Sequence, residues 1–342
     1  MEYKVGIRKQ ILKKRKIPAM SMDKCICGYS VSNLADGKSL KTVSWYEYIL
    51  RDYLKYLKVN GYSLDISSFS IEVVRSYINH LRNRRKYTGH PHIPRQESTV
   101  SAETVRCHVR GLKAFSSWIY QESYVGENRL VNLRQPRVPT KIMTPLTPAE
   151  INQILHCIKR DTYTGERNYV LTVTLLDTGL RVSEISGIKL RDLDIDKGHI
   201  RVMGKGSKER VVPVGRYVQA LLIKFIEGWR SKMADNDSQY LFLTIGKRPV
   251  TANAIKLIFK KLAGRSGITR LHAHLCRHTF AINYLLNGGD VFSLKEILGH
   301  TTLEMVNHYL HFTSSQITEQ HRKYSPMDRI NKDRISAYKR EG

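Results

Sequence analysis

Apolar residues recur at helical intervals from Ser44 onward. Tyr46, Ile49, Leu50, Tyr53, Leu54 and Leu57 share one face, and Gly61 ends the run. A second helix is predicted over Ile71–Arg84, with Ile71, Val74, Ile78 and Leu81 inward, and a basic loop from Arg85 to Arg95 follows it. A third is predicted from Ser101 to Glu122. It buries Val105, Val109, Leu112, Phe115 and Ile119 and turns Arg106, Arg110 and Lys113 to the other side. Three amphipathic helices predict a small helical domain over residues 41–130 with one basic flank. Periodicity is weak over residues 1–40, which are set apart as a basic arm of unknown fold.

Residues 131–146 read as a linker: three prolines resist helix and strand, and no acidic residue occurs. Thr147-Pro148-Ala149-Glu150 then combines a capping box with proline at the first helical position, opening a second domain over 147–313. A helix carrying Tyr169, Leu171, Val173, Leu175 and Leu176 ends at Gly179, and a short one begins near Ser183. Two alternating β-branched runs between Ile200 and Val214 flank a Gly-Lys-Gly-Ser turn, which predicts a β-hairpin. Helices are predicted at 215–230, 252–265, 275–287, 293–298 and 302–310, leaving 314–342 as a tail. The fold class is therefore mainly α with a small β-hairpin or sheet.

Charge narrows the partner. The 342 residues hold 57 Lys+Arg against 30 Asp+Glu, a net charge of +27. Such an excess points to a polyanion, nucleic acid first, because neutralised phosphates release counterions. Arg106, Arg110 and Lys113 on the helix flank, and Arg134, Arg137 and Lys141 in the linker, are the candidate phosphate contacts. The stretch Met1–Lys16 is either a phosphate-binding arm or a solvated tail, and it lacks the apolar core of a secretory signal. Five scattered cysteines are expected to be reduced thiols in a cytoplasmic setting. No stretch approaches the ~18 apolar residues of a membrane span.

An ordered cationic set precedes a tyrosine: Arg181, Lys205, His274, Arg277, His300 and Tyr309. Attack on a phosphodiester puts negative charge on two non-bridging oxygens, and planar guanidinium forks suit them; Arg181 and Arg277 are the candidates. A 5′-oxygen leaves poorly without a proton. Lys205, at the hairpin tip, can supply one, and Lys208 competes for that role. Tyr309 is the candidate nucleophile, with His274 as its base and His300 as a hydrogen-bond donor to the phosphate. The dense run His272, His274, Cys276, His278 invites a metal reading, but alternate residues of one helix diverge, and no metal or other cofactor is expected.

These residues resemble the tyrosine recombinase (phage integrase) family. The resemblance rests on Thr178-Gly-Leu-Arg-Val-Ser-Glu184, Gly204-Lys-Gly-Ser-Lys-Glu-Arg210, His274-Leu-Cys-Arg-His278, Leu298-Gly-His300 and Tyr309, spread over residues 41–315. It implies a helical core-binding domain and a catalytic domain closing as a C-shaped clamp on double-stranded DNA. It also implies strand exchange through a 3′-phosphotyrosyl intermediate without metal or ATP, and four protomers on two DNA sites. Accessory DNA-bending proteins, and docking of the 314–342 tail on a neighbour, belong to the same expectation. Cys276 stands where the family usually has leucine. Integration or transposition of a mobile element is the leading role. Chromosome-dimer resolution, a type IB topoisomerase-like activity and a non-catalytic DNA-binding protein are the alternatives.

Overall fold

The computed structural model describes residues 20–89, 93–138, 143–204, 209–233, 238–299 and Ser325. The chain divides into two units, Met1–Lys141 and Ile142–Gly342.

Among the described residues, the first unit holds four α-helices: α1 (Met22–Ala35), α2 (Leu40–Val59), α3 (Ile71–Asn83) and α4 (Ala102–Gln121). Each begins on a serine, Ser21, Ser39, Ser70 or Ser101, whose side chain accepts a backbone N–H of the first turn. The predicted faces of α2 and α4 are buried as expected. The segment set apart over 1–40 needs correction: Met22, Cys25, Ile26 and Tyr29 of α1 enter the same core as α2–α4. Exposed Val31 and Leu34 on its other side had obscured the period. The core also reaches into the predicted linker, for Leu133 is buried in it.

A polar chain crosses this apolar unit. Asp52 of α2 accepts both Arg84 Nη1 contacts (2.9 and 2.8 Å) and the Tyr77 hydroxyl (2.7 Å). With the Tyr77 O–H donated to Asp52, the 2.9 Å contact between Tyr77 Oη and His108 Nδ1 requires His108 to donate, which places a proton on Nδ1. Burial lowers the His108 pKa, with Asp52 opposing and Arg84 assisting. One side chain each from α2 and α4 and two from α3 and its C-cap are thereby locked in register.

The second unit opens with α5 (Pro148–His156), where the capping box forms as predicted: Glu150 N–H donates to Thr147 Oγ1 (3.2 Å) and Thr147 N–H to Glu150 Oε2 (2.9 Å). Next come α6 (Tyr163–Thr178), α7 (Val182–Gly187) and the strands β1 (Leu193–Asp194), β2 (His199–Met203) and β3 (Glu209–Pro213). The strands form an antiparallel sheet in the order β1-β2-β3, with Val202 opposite Arg210 and Met203 opposite Glu209. The predicted hairpin thus gains a short third strand. Helix α8 (Arg216–Lys224) runs through a π-turn at Phe225–Arg230 into α9 (Ser231–Met233). Three more helices follow among the described residues: α10 (Ala252–Ser266), α11 (Ala273–Leu286) and α12 (Val291–Leu298). Helix α6 is buried along most of its length, so it reads as a core helix without a polar face. The predicted helix at 302–310 lies outside the described residues. No helix among the described residues is long and apolar enough to cross a membrane.

Two outcomes follow for the first unit. Asp52→Asn leaves Arg84 without its counter-charge and should cost about 2–4 kcal/mol in urea unfolding. Because the folded pKa of His108 is depressed, its contribution is complete above the ordinary histidine value of about 6.5 and is lost as pH falls below it. The urea midpoint of the wild type should therefore drop more steeply between about pH 7 and 5 than that of His108→Asn.

Candidate active site

Helix α6 ends at Gly179, whose φ of 61° is left-handed. A Cβ there would lie 2.4 Å from Phe280 Cδ1 and 2.9 Å from Leu298 Cδ2, so glycine is required twice over, for conformation and for space. The turn delivers Arg181 to the N-cap of α7. Its backbone N–H donates to Glu184 Oε2 (2.7 Å), its Nη1 to Glu184 Oε1 (2.9 Å) and its Nη2 to the Gly299 carbonyl (3.4 Å).

Arg277 enters from α11. It is 1 % exposed, donating from Nη1 to the Gly179 carbonyl and from Nη2 to the Leu298 carbonyl, both at 2.7 Å. Arg210, from β3, forks on Glu184 (2.8 and 2.9 Å) and donates from Nε to the Ile297 carbonyl at 2.9 Å. Three guanidinium groups from three elements thus sit on three consecutive carbonyls at the end of α12. Those carbonyls close the C-terminal end of α12, where the helix dipole places its negative end. Residue 300 follows directly in the chain.

Glu184 balances this positive charge. Its side chain is 4 % exposed. Burial works to raise its pKa, but hydrogen bonds from Arg210 and the Arg181 backbone, with the guanidinium charges, hold it at about 2. It is a carboxylate at any working pH. The sequence reading quoted Glu184 and Arg210 only as parts of motifs and gave neither a role. The one available signal was Glu184 three residues after Arg181, the N3 position of a capping box.

His274 lies in the first turn of α11, open to solvent on its outer edge, with its ring edge-on to His278 at 4.7 Å between centroids. Partial burial lowers its pKa, helped by Arg277, His272 and Arg181. An imidazole kept neutral beside two arginines is fit to accept a proton. Cys276 is buried in the core, its thiol pushed up to about 12 by desolvation, in keeping with a packing role. Among the described residues no three His, Cys, Asp or Glu side chains converge as metal ligands.

The site therefore gathers Arg181, His274 and Arg277. Lys205, Lys208, Lys141, His300 and Tyr309 lie outside the described residues. On the α4 flank of the first unit the candidate phosphate contacts also have partners within the protein. Arg106 pairs with Glu103 (2.6 Å), Arg110 lies over the Trp45 ring (5.0 Å), and Lys113 Nζ donates to the carbonyls of Val131 (3.2 Å) and Leu133 (2.7 Å). Arg134 and Arg137 are exposed.

Glu184→Gln keeps the shape but removes the only carboxylate facing Arg181 and Arg210 among the described residues. It should destabilise the second unit by about 3 kcal/mol, read as a lower urea midpoint at pH 7. Since the Glu184 pKa is depressed, the wild-type advantage should persist above about pH 4.5 and shrink as pH falls toward 2.

The sequence pattern of the phage integrase family matches residues 145–316. Tyrosine recombinase XerC of Oceanobacillus iheyensis is 30% identical over 295 residues, covering 85% of this chain and 92% of the relative; its XerD is 28% identical over 293 residues, covering 85% and 94%. Among solved structures, the Tn1549 transposon integrase in complex with transposon right-end DNA superposes with a TM-score of 0.68 at 21% identity, covering 90% of this chain and 100% of that one. This last likeness carries the fold. The family pattern spans Arg181, His274 and Arg277, and the XerC relative covers 85% of the chain at 30% identity: the chain belongs to the phage integrase family, the tyrosine-type site-specific DNA recombinases.

Proposed function

We propose that this protein cuts and rejoins DNA strands at a specific site through a covalent bond between Tyr309 and a 3′-phosphate. The observation that carries the reading is that Arg181, Arg277 and His274 come together in the second unit, with the His274 pKa lowered by burial and by the two arginines. The two arginines neutralise the non-bridging oxygens as charge builds on them, His274 takes the phenol proton, and His300 donates to the phosphate. Lys205 protonates the departing 5′-oxygen, with Lys208 as the competing donor. Rejoining runs the same steps backwards with a new 5′-hydroxyl, so the bond energy is conserved and no cofactor is consumed. Lys141, Arg134 and Arg137 are proposed to lie along the DNA backbone. Assembly is proposed as a homotetramer on two sites, with accessory DNA-bending proteins, in the cytoplasm and on the nucleoid.

Two cellular tasks use this chemistry. Integration or transposition of a mobile element is the first reading. The likeness to XerC and XerD over 85% of the chain favours a second, chromosome-dimer resolution. DNA recovered from covalent complexes in cells separates them: element ends beside a tRNA gene or direct repeats support the first, and one fixed chromosomal locus supports the second.

The chemistry is tested on a suicide duplex nicked beside that recovered site. Wild type should leave a protein–DNA adduct on a denaturing gel, and Tyr309→Phe should leave none. Arg181→Ala should slow adduct formation by about 10²–10³-fold while retaining most DNA affinity. An adduct that persists in Tyr309→Phe contradicts the reading.

A further inference from the structure

Arg210 stands where three elements meet, and the reaction scheme does not use it. Its backbone is fixed by the β2–β3 ladder opposite Val202. Its side chain leaves the sheet to fork on Glu184 of α7 and to donate to Ile297 at the end of α12. It is 13 % exposed, and all three of its guanidinium nitrogens are engaged by Glu184 and the Ile297 carbonyl. Gly299 leaves room for it: a Cβ there would lie 3.0 Å from Arg210 Cδ. Among the described residues, no other side chain of β2 or β3 forms a hydrogen bond or ion pair with α7 or α12.

Lys205 and Lys208 fall in the sequence between the paired residues Met203 and Glu209. The ladder therefore fixes the described residues on either side of them. The ladder in turn is tied to α7 and α12 through Arg210. One guanidinium thus links the β2–β3 strand pair to the carboxylate that holds Arg181.

We propose that Arg210 is a positioning residue for departure of the leaving strand, keeping the Lys205 turn in register with Arg181 and the end of α12. The inference rests on Lys205 being the proton donor. In cleavage the bond from Tyr309 Oη to phosphorus forms and the phosphorus–O5′ bond breaks. The phenol proton goes to His274, and the departing oxygen takes a proton from Lys205. Replacing the bridging O5′ with sulfur removes the need for that last proton, because a thiol with a pKa of about 8.5 leaves as its thiolate. A defect in proton donation is therefore cured by sulfur, and a general disruption of the site is not.

The test uses the full chain at saturating concentration, in single turnover, on matched duplexes with oxygen or sulfur at the scissile 5′ position. Arg210→Lys keeps the charge but loses the fork. It should slow the oxygen substrate by about 10²-fold while the sulfur substrate and the DNA affinity stay close to wild type. Lys205→Ala should show the same split, and the double variant Lys205→Ala/Arg210→Lys should be no slower than Lys205→Ala alone. Inserting one glycine after residue 206 keeps every Arg210 contact and should reproduce the split. That variant decides the matter should Arg210→Lys melt below the assay temperature. Equal slowing of both substrates by folded Arg210→Lys overturns the proposal, as does wild-type cleavage of the oxygen substrate by Arg210→Lys or by the glycine insertion. Absence of any adduct from wild type on either duplex overturns the proposed function itself, and this inference with it.

Discussion

The second unit is organised around one electrostatic constraint: the open end of α12 must be satisfied, and three arginines satisfy it. Carbonyls 297, 298 and 299 each accept from a different guanidinium, delivered by β3, α11 and the turn after α6. A charged hydrogen bond of this kind contributes about 1.5–3 kcal/mol. Its larger consequence is geometric, because the sheet, the central helix and the last described helix cannot shift independently. Glu184 makes the cluster tolerable. Without a carboxylate among them, the guanidinium groups would repel one another in a space with little water. The arrangement has a functional side as well. Cations held rigidly by the protein need no reorganisation when charge develops on a phosphate nearby.

That rigidity explains the division of labour among the arginines. Arg277 is enclosed and spends two donors on carbonyls, so the turn that presents Arg181 depends on it. Arg181 keeps about a third of its side chain exposed and faces outward from the same turn. Seen from the sequence, the two arginines looked equivalent, two forks for two oxygens. Burial separates them. The low proton affinity of His274 belongs to the same picture, since its neighbours Arg277 and Arg181 make a further positive charge costly.

Much of this was legible in the sequence because its signals are local. The capping box at Thr147, the glycine stop at Gly179 and the hairpin around Gly204 each follow from a few adjacent residues, and each appears where expected. The likeness to the recombinase family carried Arg181, His274 and Arg277 into one site, and the fold brings those three together. Helix α1 was missed although Met22, Cys25, Ile26 and Tyr29 have helical spacing, because apolar residues also occupy its exposed side. Arg210 and Glu184 were missed for a different reason. Their meaning lies in contacts between residues 26 and 87 positions apart, which no window of sequence contains. On the basic flank of α4 the sequence shows the charges but not their partners within the protein: Arg106 meets a carboxylate, Arg110 an aromatic ring and Lys113 two carbonyls.

The central claim is that a phenol oxygen of this chain becomes bonded to a cleaved strand under the charge of Arg181 and Arg277. Tandem mass spectrometry of the protease-digested covalent complex tests it most directly. The account predicts a single nucleotide-bearing peptide, modified at Tyr309 and carrying the 3′-phosphate of the cut strand. A linkage at any other residue, or to a 5′-phosphate, would contradict it.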